Sequence, residues 1–391
     1  MAGDRVRFVR GRPDAGPSDS AGLTTTYDRL IDELHPGDRV VLADGTVSLL
    51  VESVERNAAT CRVTQGGTVR SGQGVNLPGV KLTVPALSEE DRDRAAWAAA
   101  AGVEYIGLSF VRREEEVHEL KGLIASAGGH TDVIAKIEKP EAVENLESIV
   151  RAADGVMVAR GDLGVEIDIA EMPIVQKRII AICRRYCKPV IVATQMLDSM
   201  QHSRLPTRAE ATDVANAILD GADACMLSGE TAIGRFPRES VEMMHRIAVA
   251  TESVAEPTTV RSAVAEVAEG INPITHATCS AAGELAERLG AKLLLVATAT
   301  GTTARVLSKQ RWSVPVIGVS DDETTRRKLC LYWGVVPVDG APVAERQAVL
   351  DFVESEGRAT GQLGPGDRIV VLSGLGTSTS RHNMVLVHEV E

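Results

Sequence analysis

The sequence predicts an α/β protein in which a segment of a (β/α)8 TIM-type barrel, about five βα units long, lies between two other domains. Three observations support this architecture. Short alternating strands fill residues 1–84, strand and helix alternate through residues 85–256, and a second α/β series occupies residues 257–391. A chain of 391 residues is long enough for two or three domains.

The first domain is predicted from its strands and turns. The segments "DRVRFVRG", "DRVVLADGTVSLLVESV" and "AATCRVTQGGTV" alternate apolar and polar residues and contain Asp-Gly and Gly-Gly pairs, which favour hairpin turns. Short strands joined in this way indicate a small β-barrel or sandwich.

The middle domain begins at a helix start signal. Ser88 is a suitable N-cap, and Glu89, Glu90 and Asp91 would favour the positive end of the helix dipole. Five apolar strands follow, separated by amphipathic helical stretches: "VEYIGLSF", "DVIAKIE", "GVMVARGD", "PVIVATQ" and "ADACMLSGE".

The spacing of these strands indicates a parallel sheet. One polar residue at the end of each strand serves as a marker, and successive markers are 27, 26, 32 and 34 residues apart. This is the period of βα units. The markers are Ser109, Lys136, Asp162, Thr194 and Ser228.

The last domain follows a link that contains Pro257. Its strands are predicted at "AKLLLVATATG", "VPVIGVSD", "GVVPVDG", "DRIVVLSG" and "NMVLVHEV", and they indicate an open, mostly parallel sheet.

Composition excludes several classes of protein. The formal net charge of −12, from 42 basic and 54 acidic residues, argues against a nucleic-acid or anionic-membrane binder. No apolar run approaches the roughly 18 residues of a membrane span, and the N-terminus has no secretory pattern.

The cysteines are scattered along the chain, which fits the reducing conditions of the cytoplasm. Cys183 and Cys187 lie one helical turn apart, but without a matching pair they are better read as buried or idle thiols than as a zinc site.

Polar residues end every strand of the middle domain. Carboxyl ends of parallel barrel strands meet at one face, so these residues are expected to share a site. A simpler interpretation, which stays open for any single Ser or Thr, is that they satisfy backbone groups and solvent. The residues are Ser109, Lys136 with Glu138, Arg160 with Asp162, Thr194 with Gln195, and Ser228 with Glu230.

Lys136, Glu138 and Asp162 favour metal-assisted chemistry on an anion. A buried ammonium is costly unless carboxylates compensate it, and Mg²⁺ prefers one or two protein carboxylates with its other ligands from water and substrate. Paired carboxylates could also hydrolyse a glycoside, but that reaction does not need the lysine. Gly161 and Gly164 could expose backbone N–H groups to a carboxylate or phosphate, although turns need glycine anyway.

Long motifs identify a family resemblance. The segments "IAKIEKPEAVENLESIV", "DGVMVARGDLGVEI", "KPVIVATQMLDSM", "PTRAEATDVANAILDGADACMLSGETAIG" and "GVNLPGV" resemble pyruvate kinase, and the resemblance runs from about residue 5 to the end of the chain. It implies Mg²⁺- or Mn²⁺-dependent transfer of phosphate from phosphoenolpyruvate to ADP, with protonation of the resulting enolate to pyruvate. It also implies a homo-oligomer.

The resemblance assigns roles to individual residues. Lys136 would stabilise the transferred phosphoryl group and the enolate, and Glu138 and Asp162 would bind the divalent metal. The backbone of Gly161 and Asp162 would hold the substrate carboxylate. Thr194 would lie beside the methylene carbon as part of the proton-delivery route.

The resemblance also implies roles for the two flanking domains. Residues 1–84 resemble the family's β-barrel lid, in which Asp44 matches a lid aspartate, although an Asp-Gly hairpin turn explains it equally well. ADP would bind between lid and barrel, because the sequence contains no P-loop. Residues 298–303 and 372–380 are glycine- and hydroxyl-rich, and they are candidates for an effector site.

The sequence also departs from the family pattern. It opens inside the lid, so the barrel is expected to be incomplete, with no counterpart for a phosphate-binding arginine or for the residues that hold K⁺. Open sheet edges would invite association, and activity of the isolated chain is expected to suffer. Two alternatives remain open: a non-catalytic relative that binds phosphometabolites or full-length subunits, and another Mg²⁺-dependent lyase, against which "ATQML" and "LSGETA" argue.

Overall fold

The computed structural model contains three five-stranded sheets, one after another along the chain. It describes residues 1–11, 22–43, 45–80, 82–254, 267–343, 345–374 and 382–391. Asp44 and residues 375–380 of the second effector candidate therefore lie outside the described residues.

The first sheet is antiparallel, with the strand order β1-β4-β3-β2-β5. Its elements are β1 (Arg5–Val9), α1 (Leu30–Glu33), β2 (Arg39–Leu42), β3 (Val47–Glu55), β4 (Ala58–Gln65) and β5 (Val75–Asn76). In β3, Val47, Leu49 and Val51 are buried and alternate with partly exposed residues, so one face of the sheet covers a core. No pairing of β1 with β5 is recorded among the described residues, and closure into a barrel stays a prediction.

The middle sheet is entirely parallel, with the strand order β10-β9-β8-β7-β6. Its strands are β6 (Tyr105–Leu108), β7 (Asp132–Ile137), β8 (Gly155–Ala159), β9 (Val190–Ala193) and β10 (Ala224–Met226). Its helices are α2 (Glu89–Ala101), α3 (Glu114–Ser126), α4 (Pro140–Glu144), α5 (Leu146–Ala152), α6 (Arg160–Glu166), α7 (Met172–Arg185), α8 (Arg208–Asp220), α9 (Gly229–Ala232) and α10 (Pro237–Glu252). Sequential order in space confirms the prediction of consecutive βα units.

Local sequence explains where these elements begin. The predicted cap at Ser88 is confirmed: its hydroxyl accepts the N–H of Asp91, whose side chain returns to the Ser88 backbone. The central strands β8 and β9 are mostly buried and consist largely of Val, Ile and Ala, as is typical of parallel sheets covered on both faces.

All five strands of the middle sheet are shorter than the sequence segments that predict them, and β8 is one example. The segment "GVMVARGD" was expected to be strand throughout, but β8 ends at Ala159 and α6 begins at Arg160. Asp162 therefore lies in the first turn of a helix, not on the strand. The chain turns at the point where apolar residues give way to Arg160 and Gly161.

The third sheet has the order β13-β12-β11-β14-β15, and only β15 is antiparallel. It consists of β11 (Leu293–Ala297), β12 (Val316–Val319), β13 (Val335–Val338), β14 (Arg368–Ser373) and β15 (Met384–Glu389). Its helices are α11 (Pro273–Leu289), α12 (Thr302–Lys309), α13 (Glu323–Leu329) and α14 (Arg346–Ala359). The predicted mostly parallel sheet is confirmed.

A buried charge cluster joins the second and third sheets. Asp223, just before β10, contacts Lys309 at the end of α12, and Arg311 Nη2 lies 3.0 Å from Asp223 Oδ1. Arg311 also donates to the carbonyl of Gly221 at 2.7 Å. All three charged side chains are at most 8% exposed, so the junction is a packed interface.

Two further features concern membrane-spanning helices and the thiols. Across the described residues, no helix combines the length and apolar character that crossing a membrane requires. Cys183 and Cys187 are both buried in the free thiol form.

Candidate active site

The carboxyl ends of β6 and β7 bring Ser109, Lys136 and Glu138 together. Lys136 Nζ donates to Ser109 Oγ at 2.8 Å and lies 2.8 Å from Glu138 Oε1. The Lys136 side chain is 26% exposed, whereas that of Glu138 is 1% exposed. The ammonium is thus held from the protein side and still reaches the surface of the cleft.

Glu138 has one occupied and one available oxygen. Its Oε2 accepts the backbone N–H of Phe110 at 2.6 Å, and Phe110 has a left-handed backbone with a φ of +53°. Its Oε1 is buried and accepts no hydrogen bond from the part of the chain that the structure describes, so its contact is the ion pair with Lys136.

Gly161 and Thr194 meet across the next two strands. The N–H of Gly161 donates to Thr194 Oγ1 at 2.7 Å, and that hydroxyl donates to the carbonyl of Ala193 at 2.6 Å. A Cβ at position 161 would lie 3.3 Å from Thr194 Oγ1, so glycine permits this close approach. The N–H predicted to hold a carboxylate is therefore occupied by a hydroxyl in this structure.

Asp162 is half-buried in the first turn of α6. Because β7 and β8 are adjacent and pair Ile137 with Val158, Glu138 and the start of α6 follow neighbouring strands at the same edge of the sheet. The two predicted metal-binding carboxylates are thus on adjacent segments.

A second ion pair joins the same two segments. Lys139 Nζ lies 2.6 Å from Glu166 Oε1, with side chains 14% and 2% exposed. Lys139 follows Glu138 directly, and Glu166 ends the helix that begins with Arg160 and carries Asp162. The pair therefore connects the two ends of the candidate metal site.

Ser228 and Glu230 form a buried support behind the site. Glu230 is 1% exposed and accepts the N–H groups of Leu197 at 3.0 Å and Ser228 at 2.8 Å. This carboxylate ties the loop after β9 to the loop after β10, and both of its oxygens are used in doing so.

The carboxylates of Glu138 and Asp162 fit a divalent metal that needs only one or two protein ligands. No group of three or more His, Cys, Asp and Glu side chains suited to a metal occurs among the residues described here. The available oxygen of Glu138, with Asp162 on the adjacent segment, gives the one or two carboxylates that Mg²⁺ prefers.

A cavity of about 1110 Å³ lies beside β6, between the first and middle sheets. Ser109, Phe110 and Lys139 line the end nearest the ion pair, but the remaining wall is mostly apolar and includes Leu77 and Trp97. Lys136, Glu138 and Asp162 are not among the described residues that line this cavity, so we place the candidate site at the strand ends.

Sequence reasoning missed several residues that shape this site. The positive φ of Phe110 and the pairing of Lys139 with Glu166 gave no local signal.

Of the effector candidates, residues 298–303 are described, and there Thr298 Oγ1 accepts the N–H of Gly301 at 3.1 Å.

Comparison with known proteins gives one consistent result. Residues 1–241 match the family model "Pyruvate kinase, barrel domain", and residues 276–388 match "Pyruvate kinase, alpha/beta domain". The chain is therefore similar to this family in both its barrel and its terminal region.

Individual relatives agree. The pyruvate kinase of Geobacillus stearothermophilus is 40% identical over 94% of this chain, which spans 63% of that relative, less than two thirds of its length. The Corynebacterium glutamicum pyruvate kinase is 42% identical over 94% of this chain and 76% of its own length. For the Mycobacterium tuberculosis pyruvate kinase, the identity is 40% over 99% of this chain and 80% of the relative.

Proposed function

This chain belongs to the pyruvate kinase family, and we propose that it transfers the phosphoryl group of phosphoenolpyruvate to ADP, giving pyruvate and ATP in glycolysis. The observation that carries the proposal is the Lys136 ammonium, held 2.8 Å from both Ser109 Oγ and Glu138 Oε1 and still 26% exposed. A fixed cation beside a carboxylate with an available oxygen suits phosphoryl transfer, in which positioning and charge neutralisation dominate.

Phosphoryl transfer leaves negative charge on the enol oxygen of the substrate. The bond between phosphorus and the enol oxygen breaks as a bond forms to an oxygen of the ADP β-phosphate, and the electron pair stays on the enol oxygen. Lys136 would stabilise the phosphoryl group in transit and then the enolate. Its contacts with Ser109 and Glu138 fix the ammonium before the substrate binds, so little reorganisation is needed.

Glu138 and Asp162 would hold Mg²⁺ or Mn²⁺. The metal, when bound, would neutralise negative charge on the phosphoryl and enol oxygens. Glu138 is prepared for this role because Phe110 binds its other oxygen and orients the carboxylate.

The substrate carboxylate would bind the N–H groups of Gly161 and Asp162. Since Gly161 N–H donates to Thr194 Oγ1 in the structure, the carboxylate would have to displace that hydroxyl. The released Thr194 hydroxyl could then face the methylene carbon and take part in delivering a proton to it, which completes pyruvate.

The architecture proposed for this function has three parts. Residues 1–84 would form the lid, 85–256 an incomplete (β/α)8 barrel and 257–391 an α/β domain open to effectors, within a homo-oligomer. The parallel order β10-β9-β8-β7-β6 supports a barrel segment. ADP would bind between lid and barrel.

Binding and turnover together test the proposal. Calorimetry should detect phosphoenolpyruvate binding to the 391-residue chain only with Mg²⁺, and a coupled assay with ADP, Mg²⁺ and K⁺ should detect pyruvate above the background of a Lys136→Met variant. Binding without pyruvate would indicate a non-catalytic member. Pyruvate formation that is undiminished in Lys136→Met, or no binding by the folded chain, would contradict the proposed roles.

A further inference from the structure

The turn after β9 has an unusual backbone. Thr194 has a φ of +69° and Gln195 a φ of +54°, so two consecutive residues other than glycine adopt the left-handed region. This conformation is especially unfavourable for a β-branched residue such as Thr194. It persists only where surrounding contacts enforce it.

Arg160 supplies those contacts. Its Nη2 donates to the carbonyl of Thr194 at 2.8 Å and to the carbonyl of Gln195 at 3.2 Å, and its Nε lies 3.3 Å from the Thr194 carbonyl. A single guanidinium therefore binds both carbonyls of the left-handed turn.

The guanidinium is itself fixed. The Arg160 side chain is 10% exposed, and its Nη1 lies 2.8 and 2.7 Å from the two carboxylate oxygens of Asp213 on α8. The planar guanidinium of arginine carries several N–H donors in fixed directions, so Nη1 pairs with Asp213 while Nη2 binds the carbonyls. A lysine ammonium cannot reproduce this geometry.

The opposite side of the turn is held by the next residue in the chain. Gly161, which follows Arg160, donates its N–H to Thr194 Oγ1 at 2.7 Å. Arg160 thus fixes the backbone of Thr194, and Gly161 contacts its hydroxyl. Rotation about χ1 would release the hydroxyl from the Gly161 N–H and from the Ala193 carbonyl, to which it donates at 2.6 Å, without moving the backbone.

We infer that Arg160 is a positioning residue, which holds Thr194 in its left-handed conformation so that the hydroxyl exchanges between Gly161 N–H and the substrate carbon. This inference rests on the proposed function and adds the residue that orients the proton-delivering group. Arg160 acts here without touching the substrate, because its guanidinium is engaged by Asp213 and by the carbonyls of the turn.

Exchange of the methyl protons of pyruvate in D₂O, followed by proton NMR, tests this inference. A methyl C–H bond breaks, its electron pair passes into the enolate and its proton leaves to solvent by way of the Thr194 hydroxyl; a deuteron returned by the same route then forms the new C–D bond. The reaction needs no phosphoryl transfer and reports on proton movement at this carbon. Exchange in Arg160→Lys should fall by about tenfold to a hundredfold, because the Thr194 hydroxyl is misplaced. Mn²⁺ affinity, which depends on Glu138 and Asp162, should change by less than about threefold.

Matched variants separate positioning from folding. Arg238→Lys, in an exposed pair with Glu242, should leave exchange within about twofold. If Arg160→Lys does not fold, Asp213→Asn provides a milder weakening of the same contact and should reduce exchange by an intermediate amount. Gln195→Gly, added to Arg160→Lys, should recover part of the exchange, because glycine adopts positive φ without the penalty.

The outcomes are distinguishable. Unchanged exchange in Arg160→Lys or, should that variant not fold, in Asp213→Asn overturns the inference and leaves the proposed function intact. Absence of Mg²⁺-dependent exchange in the unmodified chain would instead contradict the proposed function. Parallel losses of exchange and Mn²⁺ affinity would show a general structural role and would also overturn the inference.

Discussion

Lys136 Nζ lies 2.8 Å from Oε1 of Glu138, a carboxylate that is 1% exposed. The other oxygen of Glu138 is bound by the N–H of Phe110, so the carboxylate is oriented with its available oxygen toward the ammonium. A carboxylate this deeply buried needs a nearby cation to offset its negative charge. A bound divalent metal would supply further positive charge to the same carboxylate. This pair places the site at the strand ends.

Phe110 should control the orientation of Glu138 through its backbone. Its φ of +53° is accessible to glycine and poorly accessible to β-branched residues. Phe110→Gly should therefore retain Mn²⁺ binding, whereas Phe110→Val should weaken Mn²⁺ binding by about tenfold, which corresponds to loss of one well-formed hydrogen bond. Calorimetric titration with Mn²⁺ measures both, and equal affinities in the two variants would show that the N–H of Phe110 does not matter.

The buried pair of Lys139 and Glu166 should matter for stability. Lys139→Met leaves a carboxylate that is 2% exposed without its cation, and such a loss typically costs roughly 3–5 kcal/mol. The thermal midpoint should fall clearly, and scanning fluorimetry would detect it. Arg238→Met is the matched control, because its partner Glu242 is more than half exposed and the midpoint should stay unchanged. A midpoint unchanged in Lys139→Met would show that Glu166 finds another partner.

The parallel sheet and its polar edge could be predicted because their causes are local. A regular alternation of apolar strands and amphipathic helices leaves few topologies, and Lys136, Glu138 and Ser109 follow from it as neighbours at one edge. The exact boundary of β8 could not be predicted, because the apolar pattern stops at Ala159 and does not show whether the polar residues that follow extend or coil. In the structure they form α6.

Pairings between distant residues could not be predicted. Lys139 and Glu166 are 27 residues apart, and Lys309 and Asp223 are 86 residues apart. In sequence, each resembles an ordinary surface charge, because burial depends on how whole elements pack. The left-handed φ of Thr194 is equally hidden, since the residue that contacts its carbonyl, Arg160 at the start of α6, lies 34 residues away in the sequence.

The charge cluster at the junction of the second and third sheets should make the stability of the folded chain depend on pH in the acid range. Burial alone raises the pKa of Asp223, but Lys309 and Arg311 outweigh it and hold that pKa below its usual value. The folded state therefore favours the ionised carboxylate. The resulting stabilisation is complete above the unfolded pKa of about 3.9 and is lost as the pH falls through the lower folded pKa.

Asp223→Asn tests this dependence. The variant leaves Lys309 and Arg311 buried without an anion, so its thermal midpoint at neutral pH should lie well below that of the unmodified chain. The difference between the two midpoints should shrink below about pH 4. Midpoints that differ by the same amount at all pH values would contradict an ionised Asp223 in the folded state.

The most direct test of the central claim is Mn²⁺ titration of the unmodified chain and of Glu138→Gln and Asp162→Asn, followed by the electron paramagnetic resonance of free Mn²⁺. The account predicts one site, weakened by about tenfold or more in each variant and retained in Lys136→Met. Affinity unchanged in both carboxylate variants would contradict a metal site shared by the ends of β7 and β8.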